Sequence, residues 1–193
     1  MTLSDDKPAE AACAAAGWLQ HLPPGPLAEL RRMTEEAAAP EFWRLAARFS
    51  GTIGRPDKEP EWIAIVRILA ILTEKGDPGR RRPLHDRRRS LGAVLCDGGD
   101  QNWPPPGGRP PRPVFSERRL AQLMAARGPQ RAVLLTRAAR TLARSRDPGS
   151  GINVVDIAYT LLAPDNRRQL AEPYYRRLDR AELAAQESEE GTE

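Results

Sequence analysis

The chain is poor in several features, and each shortage excludes a class of protein. Its two cysteines, Cys13 and Cys96, are isolated thiols without a C-x-x-C spacing, so we expect neither a disulfide framework nor a cysteine metal site. The longest apolar run, residues 63–72, is broken by Arg67 and is about half as long as a membrane span. The N-terminus is acidic where a signal peptide needs positive charge. These shortages predict a cytoplasmic protein in a reducing compartment, without a membrane partner.

Motifs for catalysis and cofactor binding are also missing from the sequence. It contains no P-loop, no G-x-S-x-G elbow, no H-E-x-x-H and no dinucleotide-binding glycine pattern. His85 and Asp86 resemble the paired metal ligands of helical phosphohydrolases, but arginine triplets flank them and would repel a divalent cation. Asp156, Asp165 and Asp179 are interpreted as helix-start or surface residues, because no second carboxylate lies at a matching helical spacing. We therefore predict no catalytic residue, no metal and no cofactor.

What the chain has in excess is arginine. Lysine supplies three of the thirty cationic side chains, and the formal net charge is +4. Residues 1–10 carry −2 and residues 187–193 carry −4, which leaves +10 for residues 11–186. A basic body of this kind, with acidic ends, attracts polyanions or acidic protein surfaces.

Helical signals occur along the whole chain, and no segment shows convincing strand alternation. In the first half, apolar spacing and helix-start and helix-stop residues predict helices at 9–22, 26–33, 40–49 and 59–75. In the second half, the same signals predict helices at 116–127, 130–146, 153–162 and 165 to about 185. The helix at 59–75 is apolar nearly all round, so we expect it at the centre of a first bundle.

Two segments between these helices are predicted to lack regular structure. Residues 76–90 contain two arginine triplets and are expected to form a mobile basic loop. Residues 98–115 are rich in proline and glycine and are interpreted as a linker. The sequence therefore predicts an all-α fold of two small helical bundles: an N-terminal bundle at 1–97, a Pro/Gly-rich linker at 98–115 and a C-terminal bundle with an acidic tail at 116–193.

The four tryptophans fall into two groups. Trp18, Trp43 and Trp62 lie on helical patterns and are predicted to be core residues. Trp103 lies in a loop, where it either stacks on a nucleobase or packs back on its own domain. We favour packing, and we leave Trp103 out of the candidate site.

The strongest functional signal lies between residues 116 and 146, where eight arginines accompany one acid. On a helix with 100° per residue, Arg137, Arg140 and Arg144 fall within about 60° of one another. The opposite side carries Leu135, Ala138 and Leu142. Because planar guanidinium groups suit phosphate oxygens, the pattern predicts a reader of the nucleic-acid backbone. A solvated charged helix face is the alternative interpretation.

Arg31 and Arg32, at the end of the helix predicted at 26–33, have two interpretations. They complement the dipole at a helix C-terminus, or they extend the arginine track of the second half across both bundles. The sequence alone leaves both open.

Two other functions are compatible with the same arginines. A helix-turn-helix regulator would use the helices at 116–127 and 130–146 as its pair, with Gln130 and Arg131 as base-reading residues. A pure protein-interaction scaffold would place the arginines against acidic partner surfaces. Binding to unrelated DNA separates a backbone reader from a scaffold, and an operator footprint would identify a regulator.

Several short segments together resemble the CasB family, the small subunit of the type I-E CRISPR surveillance complex Cascade. They occur in the family's order and spacing and together cover roughly residues 17–180. The segments are 30–32 (LRR), 40–45 (PEFWRL), 90–95 (SLGAVL), 116–123 (SERRLAQL), 135–142 (LTRAARTL) and 156–175.

This resemblance implies a non-catalytic, all-helical subunit, present as two copies stacked head to tail in a crRNA-guided ribonucleoprotein. It implies contacts with the Cascade backbone and large subunits, and with DNA, either the target or the displaced strand of the R-loop. The basic residues that would hold the DNA, carried over to this sequence, are Arg31 or Arg32, Arg118, Arg119, Arg137 and Arg140. Arg144 is added from the helical spacing alone.

Overall fold

A computed structural model describes residues 7–104, 111–146, 149–163, 165 and 167–190, with the backbone alone for 187–190. Within these residues the chain forms nine α-helices and no strand, which confirms the all-α prediction. The helices are α1 (Lys7–His21), α2 (Pro24–Arg32), α3 (Pro40–Arg48), α4 (Glu59–Leu72), α5 (Leu91–Asp97), α6 (Glu117–Ala125), α7 (Gly128–Ser145), α8 (Val154–Leu162) and α9 (Arg168–Glu190).

Helix α4 lies at the centre of the fold. Nine of its fourteen residues are buried, and it packs against α1 and α2 from the first half and against α7 and α8 from the second. Its first turn carries Glu59 and Glu61, which complement the positive end of the helix dipole. The predicted, almost wholly apolar helix is confirmed, but it packs against elements of both halves and not at the centre of a first bundle alone.

The two predicted bundles are not confirmed as separate units. One hydrophobic cluster contains residues from both halves, and the pairs α4 with α7, α1 with α8 and α5 with α9 all join the first half to the second. The boundaries at 97 and 116 therefore stay a prediction. Part of the proposed linker, residues 105–110, lies outside the described residues.

The contact between α5 and α9 is close enough to require a glycine. A Cβ atom built on Gly92 would lie 2.1 Å from the carbonyl oxygen of Leu170, far inside van der Waals contact. One turn further along α9, the buried Tyr174 hydroxyl donates to the carbonyl oxygen of Phe115 at 2.7 Å. These contacts join α5, α9 and the segment before α6.

Two tryptophan predictions are confirmed and one is wrong. Trp62 is buried in α4, and Trp103 packs back on its own chain, where the Arg177 guanidinium lies 5.7 Å from its ring centre. Trp18 is partly buried against the core. Trp43 is 49% exposed, because on α3 it lies beside the buried Phe42 and Leu45 and not among them.

The segment 76–90 is ordered, so its predicted mobility is wrong. Arg81 is buried and donates to four carbonyl oxygens. Leu84 is buried as well, and His85 forms a parallel β-bridge with Ile152. We call residues 76–90 the basic loop. No helix in the described part of the chain combines the length and the apolar character that crossing a membrane requires.

Candidate nucleic-acid interface

Helix α7 presents the row of arginines that its sequence predicts. The guanidinium-bearing residues Arg137, Arg140 and Arg144 are exposed, and none of the three side chains forms a hydrogen bond or an ion pair with another described residue. The opposite side of the helix, with Leu135, Ala138 and Leu142, is buried. The row is therefore held in place by core packing while its charges remain available.

A basic groove lies where the C-terminal ends of α4 and α7 meet. It encloses about 470 Å³. Its charged lining consists of five cationic residues and a single acid, Glu74. The five cationic residues are Arg31, Lys75, Arg140, Arg144 and Arg146. With a formal charge of +4, the groove favours a polyanion over any neutral ligand.

Arg31 forms part of the groove wall and also closes the end of α4. Its Nε donates to the carbonyl oxygen of Ala70 and its Nη2 donates to that of Thr73, both at 2.8 Å. The last carbonyl groups of a helix have no partner within the helix, so Arg31 supplies one from α2. Burial, and then the nearby charge of Arg81, lower the pKa of the Arg31 guanidinium. Of the two interpretations of Arg31, the structure shows a helix-terminal role, but at the end of another helix.

The other predicted residues lie outside the groove. Arg32 is exposed next to Arg31 at the end of α2, and Arg118 and Arg119 are exposed in the first turn of α6. Arg137 shares the exposed face of α7 but does not line the groove. The structure thus brings Arg31, Arg140 and Arg144 together and leaves Arg118 and Arg119 on a separate helix.

Two of the eight arginines between 116 and 146 have a structural role, and a third forms only an exposed ion pair. Arg131 is buried and donates to the carbonyl oxygens of Ala126, Met124 and Thr160. Arg146 is buried and donates to those of Ser150 and Leu72. Arg127 lies 3.9 Å from the carboxylate of Asp165. The remaining five are the arginines predicted to contact nucleic acid.

Two further cations of this region were missed in the sequence. Lys75 lines the groove directly. Arg67 on α4 is half-buried and donates to the carbonyl oxygen of Met33 and the Thr136 hydroxyl, both at 3.2 Å. Its pKa is lowered, first by burial and then by repulsion from Arg140. The sequence signal for Arg67 was its position as the single charge in the apolar run of α4.

The groups considered for metal chemistry are engaged in structural contacts. His85 Nδ1 accepts the backbone N–H of Val154 at 3.3 Å. The Asp156 carboxylate accepts the backbone N–H of Leu91 and the side-chain amide of Gln169, both at 2.9 Å. Burial raises the pKa of Asp156, and the hydrogen bond from Leu91 opposes that rise. Within the described residues, no three His, Cys, Asp or Glu side chains are placed to hold a metal ion.

The family model described as CRISPR-associated protein Cse2 matches residues 26–181. This match covers most of α2, all of α3 to α8 and the first part of α9, and it includes every arginine discussed above. The chain belongs to the Cse2 family. The resemblance to the small subunit of type I-E Cascade is thereby confirmed, and the protein is a CRISPR Cascade subunit. No curated protein and no solved structure gave a significant match to the chain.

Proposed function

We propose that this Cse2 protein is a non-catalytic subunit that binds the DNA backbone through the arginine face of α7 and the adjoining basic groove, and so stabilises the R-loop. The observation that carries the proposal is the row Arg137, Arg140 and Arg144, exposed and without an acidic partner among the described residues. An exposed arginine whose charge is unpaired is suited to a bidentate contact with phosphate.

The proposed role fits the energetics of R-loop formation. The RNA–DNA hybrid that forms is about as stable as the DNA duplex that it replaces, so modest protein contacts to the backbone shift the balance. Phosphate contacts carry no direct sequence information, which suits a subunit whose target is selected by base pairing to crRNA. The crRNA ribonucleoprotein, the Cascade backbone and large subunits and a second copy of the chain are the partners we propose, in the cytoplasmic location expected from the sequence.

The test is binding of the isolated protein to fluorescent DNA across a salt series. The logarithm of the affinity falls linearly with the logarithm of the salt concentration. The slope is about −0.9 per phosphate contact on duplex DNA and about −0.7 per contact on single strands. The double variant R137Q/R140Q should therefore flatten the slope by about 1.4 to 1.8. It should lower affinity at about 100 mM salt by roughly 25- to 60-fold, equally on unrelated sequences.

A matched control removes the same charge elsewhere. Arg168 and Arg176 are exposed on α9, where both pair with Glu172. The variant R168Q/R176Q should keep the slope of the wild-type protein. If both variants weaken binding equally, the effect comes from net charge alone and the proposed site is wrong.

A helix-turn-helix regulator is the second candidate, since α6 and α7 are consecutive helices joined by a short turn. One of its two base-reading residues, Arg131, is buried, and its guanidinium donates to three carbonyl oxygens. Loss of affinity for one DNA sequence only, after Gln130→Ala, would favour the regulator. If the isolated protein binds no DNA at all but does bind acidic protein surfaces, the scaffold function applies instead.

A further inference from the structure

The basic loop is fixed to the body of the protein at three points, and Arg81 provides the first. Its Nη1 donates to the carbonyl oxygens of Leu22 at 2.6 Å, Gln20 at 3.1 Å and Leu19 at 3.3 Å, which belong to the end of α1 and the residue after it. Its Nη2 donates to the Gly76 carbonyl oxygen at 2.8 Å. In return, the Gln20 side chain donates to the Arg81 carbonyl oxygen at 2.8 Å.

The second point is a short parallel pairing with the segment before α8. The Ile152 N–H donates to the Leu84 carbonyl oxygen at 2.8 Å, and the Asp86 N–H donates to the Ile152 carbonyl oxygen at 3.0 Å. A Cβ atom on Gly151 would lie 2.5 Å from that of Asp86, so the two segments are in tight contact. This pairing fixes the middle of the loop.

Arg89 provides the third point. Its Nη2 lies 3.2 Å from a carboxylate oxygen of Asp97, whose side chain is fully buried. Arg177 approaches the other oxygen of the same carboxylate at 2.9 Å. The Arg89 carbonyl oxygen also accepts the N–H of Asn153 at 2.7 Å.

Between these points the loop holds four arginines outward. In each arginine triplet one side chain, Arg81 or Arg89, contacts the body of the protein, and the other two are exposed. The exposed ones are Arg80, Arg82, Arg87 and Arg88. Arg80 lies 3.9 Å from Asp77 in an exposed pair, which contributes little in water. The other three guanidinium groups have no acidic partner within the described residues.

The basic loop adjoins the basic groove. Glu74 and Lys75, which line the groove, lead directly into it, and the Glu74 carboxylate accepts the backbone N–H of Arg82 at 3.4 Å. On the other side, Arg146 lines the groove and donates to the Ser150 carbonyl oxygen, one residue before the glycine that packs on Asp86. The loop therefore begins at the rim of the groove.

We propose that the basic loop is a second binding surface for a phosphodiester backbone, one that extends the footprint beyond α7. This inference rests on the proposed function, because it assigns a further part of the same ligand. The fixed backbone reduces the ordering cost that a flexible basic segment would incur on binding. Continuity with a groove of the same charge favours a long polyanion over an acidic protein patch, whose charges would have to span both surfaces.

The experiment compares three full-length variants on a single-stranded oligonucleotide of about 30 residues over a salt series. R82Q/R87Q/R88Q removes the unpaired loop arginines, and R137Q/R140Q tests α7. The control, R55Q/R127Q/R167Q, removes the same charge as the loop variant and also changes only exposed residues. Arg55 and Arg127 lie near the N-terminal ends of α4 and α7, away from the groove. The loop variant should flatten the salt slope by about 2, at about 0.7 per contact, and the control should leave it unchanged.

The outcomes separate the two proposals. If R137Q/R140Q weakens binding while the loop variant matches its control, the loop inference is overturned and the proposed function stands. If neither weakens binding beyond its control, both fail. A loop variant that loses affinity for polyglutamate more than for DNA would identify an acidic protein as the ligand and also overturns the inference. The charge-retaining variant R82K/R87K/R88K should keep most of the slope, and thermal unfolding checks that each variant is folded.

Discussion

Replacement of Arg81 by methionine tests the most heavily hydrogen-bonded side chain of the basic loop. Arg81 is 5% exposed, and methionine keeps most of its stem volume while removing every donor. Two of its four acceptors, the carbonyl oxygens of Leu19 and Leu22, are in buried contacts. The Leu22 oxygen would be left without a donor, which costs about 1–3 kcal/mol for a buried acceptor. The Leu19 oxygen keeps the backbone N–H of Leu22 at 3.3 Å but loses a hydrogen bond from a charged donor, which is worth about 1.5–3 kcal/mol. The two losses together come to about 4 kcal/mol.

An opposing effect reduces this value. The charge of Arg81 lowers the pKa of Arg31, so the substitution relieves a repulsion between two cations. We therefore expect a net loss of about 3 kcal/mol in the free energy of unfolding. For a chain of this size, about 2–4 °C of melting temperature is lost per kcal/mol, which gives a decrease of about 6–12 °C.

The assay is thermal and urea unfolding followed by circular dichroism. The control is Arg82→Met, which changes the next residue, is exposed and should alter stability by less than about 0.5 kcal/mol. A melting temperature for Arg81→Met within 2 °C of the wild-type value, on the scale of about 2–4 °C per kcal/mol, would refute the reasoning. It would mean that water replaces the guanidinium at the end of α1 at no cost.

Two further predictions concern the packing of α5. Gly92→Ala places a Cβ against the Leu170 carbonyl oxygen and should lower the free energy of unfolding in urea by more than about 2 kcal/mol. The control is Gly17→Ala, whose Cβ would meet nothing within 4 Å and which should be neutral or stabilising. Equal stability of the two variants would contradict the close contact at Gly92. Burial raises the pKa of the Cys96 thiol from 9.0 to about 12. In the folded protein, iodoacetamide near pH 8.5 should therefore label the half-buried Cys13 before the buried Cys96. Because the unfolded thiol loses its proton first, stability should fall as the pH rises from about 9 towards 12. Mass spectrometry that finds Cys96 labelled at its unfolded rate in native protein would contradict this.

The all-α class and the exposed row on α7 were predictable because both depend on local periodicity. Helical spacing of about 100° per residue placed Arg137, Arg140 and Arg144 on one side, and the structure confirms their exposure. The same spacing puts Arg131 and Arg146 about 120° and 180° from Arg137, on the buried side of α7. That signal was present in the sequence and would have identified both as structural.

Other features could not be predicted because their partners are distant in the sequence. The acceptors of Arg81 at the end of α1 lie about sixty residues away, so composition alone indicated a mobile segment. Arg31 likewise reaches α4 across 39 and 42 residues. The proline-rich stretch indicated a boundary, but no local pattern shows that α4 packs against α7 across it.

Substitutions in the two walls of the basic groove have different consequences for folding stability. Arg31 and Arg146 belong to the end of α4 as much as to the groove, because both donate to its last carbonyl groups. Arg140 and Arg144 hold no part of the interior together. Selection or design can therefore change the affinity for a polyanion through substitutions in the α7 wall alone. Substitutions in the α4 wall also lower the folding stability.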